Sequence, residues 1–319
     1  MLNRTAIRKN ILLSLAEAQT GHLGGSLGSL EMQALLAEQI EYDKKWYTKG
    51  KHLDEPHKLQ LATKLRAKRN KFILSAGHLA PALYAVFAEL GLYDDLIEAE
   101  EIEGVNSVDK RTEYLKTIRH IDGDLEGHPS LVHNPFLVDA STGPLGQGAG
   151  VSVGYALHDL RKAKKPEEAL HTYALLGDGE CQEGQIWEAA MNASKYRLSN
   201  LTWVVDRNFI QIDGDTETVG GLDRNHEMPD TLSGLGNKFA AFGWVVEENL
   251  DGNSHPDCLK YLRRIEEKQL KHNLPGVILN YTRLGHPFKE FGTYHWHGKT
   301  PSYQEAMKAI NFLDTRSEA

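Results

Sequence analysis

The chain has 319 residues, two cysteines and a formal net charge of −8, from 44 acidic against 36 basic residues; 40% of its side chains are hydrophobic and 25% charged. That length accommodates one large α/β domain or two small ones, and buries a core on both faces of a sheet. The acidic balance without a basic arm argues against nucleic-acid binding, the cysteines are too few for a disulfide framework and fit a reducing cytoplasm, and no signal-peptide core or bilayer-length apolar run suggests a membrane role.

Residues 4–19 place Ile7, Ile11, Leu12, Leu15 and Ala18 on one helical face, with Gly21 as the expected C-cap. Gly21-His22-Leu23-Gly24-Gly25-Ser26-Leu27-Gly28 follows, a glycine-rich turn before a helix over about 30–40, suited to phosphate or to close backbone contact. It is not a dinucleotide fingerprint, because no strand precedes it. Residues 41–70 are polar and charged, with a helix expected near 59–68. The basic run from Lys58 to Lys71 reads as a solvated helix face leading into a strand.

A short strand, 71–75, runs into Ala76-Gly77-His78 and a helix over about 80–90. Residues 94–108 read as an acidic loop and 108–120 as a helix, before Gly127-His128-Pro129 in a stretch without periodicity. Residues 138–140 are expected as a short strand. Ser141-Thr142-Gly143-Pro144-Leu145-Gly146-Gln147-Gly148 then opens a long helix that stops before Pro166, again a glycine turn at a helix N-terminus.

Residues 175–214 organise the rest. One strand, about 170–176, ends in Gly177-Asp178-Gly179; a helix follows; a second strand, 201–205, ends in Asp206-Arg207-Asn208. Asp178 and Asn208 therefore stand at strand carboxyl ends, the edge of a parallel sheet where ligands bind. A carboxylate and an amide carbonyl suit Mg²⁺ that also holds phosphate oxygens, and glycines let backbone approach a phosphate. Alone, Gly177-Asp178-Gly179 is no more than a strand-ending turn. Beyond it, a helix (232–242), a strand (244–248), a helix (255–272), a strand (276–281) and a terminal helix (303–313) complete an alternation that predicts an α/β fold with a doubly wound, mainly parallel sheet.

GDG followed by 28 residues and then Asn, with a strand before each end, resembles the thiamine diphosphate motif. The words GDGE-x-x-EG-x-x-WEA and D-x-N-x-x-QIDG look like the transketolase branch of that family. Gly21–Gly28 resembles its GHxGxSLG stretch, Phe72–Ala85 its F-x-LS-x-GH-x-A-x-ALYA, Gly127-His128-Pro129 its GHP, Thr142–Gly148 its TG-x-LGQG, and His297-Gly298 its late HG word. Residues 41–70 match poorly and read as an insertion. Thr282–His286 departs from the usual lysine-and-glycine word, which leaves His295 and His297 both open for the late position; alignment on Gly298 selects His297.

The resemblance implies a thiamine diphosphate-binding fold, with 1–319 as one diphosphate-binding domain. It implies Mg²⁺, replaceable by Ca²⁺ or Mn²⁺, held by Asp178, Asn208 and the carbonyl of Ile210. His78, Gly143, Leu145, Gly177, Asp178, Gly179, Asn208, Ile210 and His297 would lie along the cofactor. His78 and His297 would handle protons and oxyanion contacts, His22 and His128 would bond the donor's hydroxyls, and Glu183 would stand near a subunit interface. Read without the resemblance, Glu183 is equally a first-turn carboxylate favoured by the helix dipole. The implied reaction moves a two-carbon ketol unit from a ketose phosphate to an aldose phosphate, the cofactor carrying the carbanion chemistry.

Whole transketolases place a second α/β domain after this one, so the chain is expected to be the N-terminal half of a split enzyme, inactive without a C-terminal, pyrimidine-binding partner, in a heterotetramer of two copies of each. Competing readings are half of a 1-deoxyxylulose-phosphate synthase-like enzyme, the α chain of a 2-oxoacid decarboxylase, and a silent cofactor-binding regulatory subunit. A phosphatase with Asp178 as nucleophile lacks the second nearby aspartate it would need.

Overall fold

The computed structural model describes residues 2–99, 107–121, 123–223 and 234–317. Their helices are α1 (Arg4–Ala18), α2 (Leu23–Gly28), α3 (Leu30–Glu38), α4 (Trp46–Gly50), α5 (Glu55–Arg66), α6 (Ala80–Glu89), α7 (Asp94–Ala99), α8 (Ser107–Leu115), α9 (Gln147–Lys162), α10 (Gly184–Lys195), α11 (Thr216–Gly220), α12 (Gly234–Ala241), α13 (His255–His272) and α14 (Tyr303–Ser317). The strands are β1 (Lys71–Leu74), β2 (Thr172–Gly177), β3 (Leu201–Arg207), β4 (Ile210–Gln211), β5 (Gly214–Asp215), β6 (Val245–Asn249) and β7 (Gly276–Tyr281). β4 and β5 form a small antiparallel hairpin, while the other five strands make one sheet in the order β1-β2-β3-β7-β6, every neighbour parallel.

Strand side chains alternate between two cores. Phe72, Leu74, Tyr173, Leu175, Val204 and Ile278 belong to one, which α1, α3, α6 and α13 join; Ile73, Ala174, Leu176, Trp203, Val205 and Val277 belong to the other, with α9, α10 and α12. Helices on both faces are what a parallel sheet with near-continuous apolar strands requires. α13 coincides with its expected span: Ser254 caps its first turn, Pro256 sits at the start where no N–H is needed, and Asn273 closes it in the left-handed region.

Several expected elements differ. The C-cap of α1 is Gln19 (φ 50°), not Gly21. Gly21–Gly28 is largely the helix α2 rather than a turn. A Cβ on Gly24 would lie 2.7 Å from Leu284 and one on Gly28 2.9 Å from the carbonyl of Arg283, so these glycines serve close packing against the 283–285 turn. α5 starts earlier than expected because Asp54 caps it and Pro56 opens it. Residues 94–99 are the helix α7 rather than loop; 100–106, and the expected start of the helix at 232–233, lie outside the described residues.

Residues 138–140 form no strand. Asp139 instead accepts the backbone N–H of Phe72 on edge strand β1 (2.8 Å), and its carboxylate is paired with Arg66 (3.4 Å) and Arg69 (2.8 Å). Lys71 is likewise buried, on Asp159 at 2.5 Å. The basic run is therefore a solvated face only in part. Its three buried cations neutralise carboxylates that would be costly to bury alone. Through Arg66 and Arg69 the 41–70 segment anchors the chain that leads into Thr142-Gly143.

Candidate active site

The carboxyl ends of the adjacent strands β1, β2 and β3 deliver Gly77-His78, Gly177-Asp178 and Asn208 to one edge of the sheet. There they border a cavity of about 390 Å³ that is also lined by His22, His128, Gly143, Leu145, Gly179, Glu183, Ile210 and His297. Every residue that the resemblance assigned to the site, His297 rather than His295 at the late position, thus lines one cavity. Thr142 donates to the carbonyl of Leu74 (2.7 Å), and a Cβ on Gly77 would fall 3.0 Å from the nitrogen of Gly143, so the two glycine turns lie against each other.

Three imidazoles cluster, with ring centroids 4.9 Å apart for His22–His78, 5.6 Å for His78–His297 and 5.9 Å for His22–His297. His295 is exposed and stacks on Tyr294, so His297 is the one that enters the cavity. Burial lowers the pKa of all four histidines. His22 falls to about 4, helped by His297, Arg119 and His128; His78 lies well below the ordinary value; His128 is lowered also by Arg119. They are neutral at pH 7, and each ring can donate from one nitrogen and accept at the other. The Nδ1 atoms of His22 and His297 are buried without a partner among the described residues, leaving them for a bound molecule.

Asp178 is buried. It accepts from the backbone N–H of Gly179 (2.8 Å) and Phe209 (2.7 Å) and from Arg207 (3.1 Å). Asn208 donates to Asp206 (2.8 Å) and accepts the N–H of Ile210 (2.9 Å) in a side-chain turn. Phe209 between them adopts φ 66°, a costly conformation for a phenylalanine that the bond to Asp178 and the Arg207 guanidinium 4.0 Å over its ring hold in place. Thr216 donates to the carbonyl of Phe209 and Gln211 pairs with Gly214, so Ile210 occupies a non-hydrogen-bonded position of the hairpin and its carbonyl turns away from β5.

These three oxygen groups fit a divalent cation. Three donors reach the Asp178 carboxylate and one reaches the Asn208 carbonyl, which leaves each a free lone pair. Burial pushes Asp178 up to about 6 and Asp206 up to about 7, even with Arg207 beside the first and Thr282 bonded to the second. Among the described residues no three His, Cys, Asp or Glu side chains converge as a metal cluster. An ion here would rest on one carboxylate, one amide and one backbone carbonyl.

Four residues escaped the sequence reading. Asp206 orients the Asn208 amide, and Gln211 lines the cavity with a buried Oε1 that has no partner among the described residues. Arg207, fully buried, spans Asp178, Glu217 (2.9 Å) and Asp223 (2.5 Å). Glu180 accepts from Ser75 (2.5 Å), Gly146 N (2.8 Å) and Gly177 N (3.0 Å), tying β1, the start of α9 and β2 together. The turn before α9 is thus not an open phosphate cradle, because Glu180 already takes its N–H. All four stand inside the quoted words, but only their contacts distinguish them from neighbouring polar residues. Glu183 is exposed at the cavity rim and is the N-cap residue of α10, without a side-chain capping bond.

Glu180→Gln turns an NH₂ group toward at least one of those three donors. We expect a stability loss of about 1–3 kcal/mol in urea denaturation. Unchanged stability would mean that the tie holds nothing.

Oxygen-bearing side chains and neutral imidazoles lining a cavity at the carboxyl edge of a doubly wound parallel sheet mark a candidate small-molecule site. Comparison with known proteins specifies it further: residues 4–311 match the family described as transketolase, thiamine diphosphate binding domain, and the chain belongs to that family. It is 30% identical over 312 residues to an apulose-4-phosphate transketolase subunit from Phocaeicola vulgatus, covering 98% of this chain and 92% of that one. It is 32% identical over 280 residues to the 6-deoxy-6-sulfo-D-fructose transketolase subunit SqwG of Clostridium sp., covering 88% and 82%. A transketolase structure from Pichia stipitis superposes with a TM-score of 0.71 at 26% identity; the match covers 98% of this chain but only 40% of that one. No helix among the described residues is long and apolar enough to cross a membrane.

Proposed function

We propose that the chain, as one diphosphate-binding domain, is one of the two subunits of a split transketolase that moves a two-carbon ketol unit from a ketose bearing an anionic group to an aldose. The convergence of four neutral histidines with Asp178 and Asn208 in one cavity carries this reading. The names of the relatives, which are transketolase subunits for a sugar phosphate and for a sulfosugar, support the substrate class and the two-chain organisation. Thiamine diphosphate, when bound, supplies the nucleophilic carbon and the electron sink.

This chain's residues bind, orient and move protons. Asp178, Asn208 and the Ile210 carbonyl would hold Mg²⁺, or Ca²⁺ or Mn²⁺ in its place, and the ion would neutralise the diphosphate. That neutralisation matters: the lining includes Asp178, Glu180, Glu183, Asp206 and Asp213 and, among the described residues, no lysine or arginine. Gly177, Gly179, Gly143 and Leu145, which line the cavity, would approach the cofactor through their backbones, and His78 and His297 would contact its diphosphate and the reacting carbons. His78 and His297, being neutral, exchange protons there without first losing one. His22 and His128 bond the donor's hydroxyls.

The cavity is open at a rim where Leu145 and Ile212 are exposed, at 39% and 62%. An apolar rim on an open site suits cover by a partner chain, with Glu183 at that boundary, in a heterotetramer. Both cysteines are free and buried, which fits a reducing compartment such as the cytoplasm.

The test is to isolate the chain with its native partner and assay the pair with a ketose phosphate, a sulfosugar and pyruvate as donors. Turnover of an anionic ketose, dependent on both chains, is expected. Use of pyruvate alone would replace this reading with a decarboxylase or synthase, and full ketose activity from this chain by itself would remove the need for a partner.

A further inference from the structure

Arg119 lies outside the cavity lining, yet it touches both segments that carry the sugar-facing histidines. Its Nη1 donates to Thr20 (3.0 Å), two residues before His22. Its guanidinium faces the backbone of Gly127, just before His128: a Cβ there would stand 2.6 Å from Nε and Cζ and 2.7 Å from Nη2. The backbone of Arg119 is set for this, with φ 62° and its N–H donated to Leu125 at 2.7 Å. Such a conformation is costly for a non-glycine residue and persists only where its surroundings impose it.

We propose that Arg119 is a positioning residue that clamps the segment bearing His22 to the segment bearing His128, and so sets the gap between the two imidazoles in which the donor's hydroxyls lie. This rests on the assignment of those two histidines to the sugar. The planar fork suits the task, since one edge holds the Thr20 hydroxyl while its face covers a glycine that leaves room for it. Any residue with a side chain at 127 would push the guanidinium away.

The clamp also carries a charge. His22 is faced by His78, His297, His128 and Arg119, and His128 by Arg119 and Glu126. A fixed cation at this spot opposes protonation of either ring, beyond the effect of burial. Clamp and charge are separable by substitution: Arg119→Lys keeps the charge and loses the fork, Arg119→Gln loses the charge, and Thr20→Val removes only the hydroxyl.

The experiment is an NMR titration of the histidine rings in this chain, together with donor KM and kcat for the pair across pH. In Arg119→Gln the His22 and His128 titrations should move to higher pH, taking the acid limb of kcat/KM with them, and kcat/KM for the donor should fall at least about tenfold. In Arg119→Lys the titrations should stay near wild type while the donor KM still rises. Thr20→Val should raise KM with no shift in titration, which keeps the clamp testable if Arg119→Gln folds poorly. Wild-type titrations in Arg119→Gln, with donor KM unchanged in Arg119→Lys and Thr20→Val, would overturn the inference. An unchanged donor KM in His128→Ala would overturn the sugar assignment beneath it, whereas the titrations judge the charge on their own.

Discussion

Asp178→Asn in the reconstituted pair should release the metal and cofactor and lower kcat/KM by at least about 100-fold. Losing residues that merely support a metal ligand typically costs 10- to 100-fold, and Asp178 is placed to be a ligand itself. The substitution removes the one carboxylate of the oxygen set and leaves the Asn208 amide and the Ile210 carbonyl, neither of which carries charge. The fold should survive it. Arg207 retains Glu217 at 2.9 Å and Asp223 at 2.5 Å, so its buried charge stays paired. Asp178 is also held above its ordinary range by burial, so removing its charge relieves a desolvation cost. Metal content by mass spectrometry, cofactor retention after gel filtration and the melting temperature would be read together. A variant with wild-type retention and activity would exclude Asp178 from the site, whereas a large loss of stability would assign it to the fold.

Arg207→Met should have the largest effect on stability, a loss of about 3–5 kcal/mol, because removing one partner of a buried ion network strands the others. The side chain is fully buried and bonds Asp178, Thr216, Glu217 and Asp223. Those contacts join the end of β2 to α11 and to Asp223 beyond it. Opening should therefore be seen first as faster amide exchange between residues 206 and 223, then as a lower urea midpoint. Arg207→Lys should fall between the two, since an ammonium restores the charge but cannot reach three carboxylates in one plane. A midpoint within about 0.5 kcal/mol of wild type, the usual range of a surface change, would refute the buried-network reading.

The two predictions differ in how far the chain alone announced them. The place of Asp178 at the cavity could be read because the word that carries it is local. A glycine turn, a carboxylate at a strand end and an asparagine at the next strand end are adjacent or set by strand order, and a parallel sheet brings successive strand ends to one edge. The alternation of strands and helices and the spans of α13 and β7 were legible from periodicity and caps, whereas the meeting of His22, His78, His128 and His297 was expected only from the family resemblance, since three of the four stand at no strand end. Arg207 sits between two residues that were singled out, yet looks like any charged residue at the end of a strand. Its role depends on Glu217 and Asp223, which only the return of the chain through the hairpin places beside it.

What the sequence determined by itself is thus the pattern with a short physical period: the doubly wound α/β alternation, and a carboxylate and an amide side chain at the ends of two adjacent strands. The tertiary structure decided which charges are buried and paired. Arg66, Arg69 and Lys71 left the solvated face assigned to them because Asp139 and Asp159, 70 or more residues away in the chain, came to meet them. Residues 138–140 gave up strand pairing because a carboxylate took the edge N–H of β1 instead. The choice between His295 and His297, open in the sequence, followed from which ring packs beside His22 and His78. Pairing energies depend on distance in space and on exclusion of water, and neither is encoded in the order of residues along a strand.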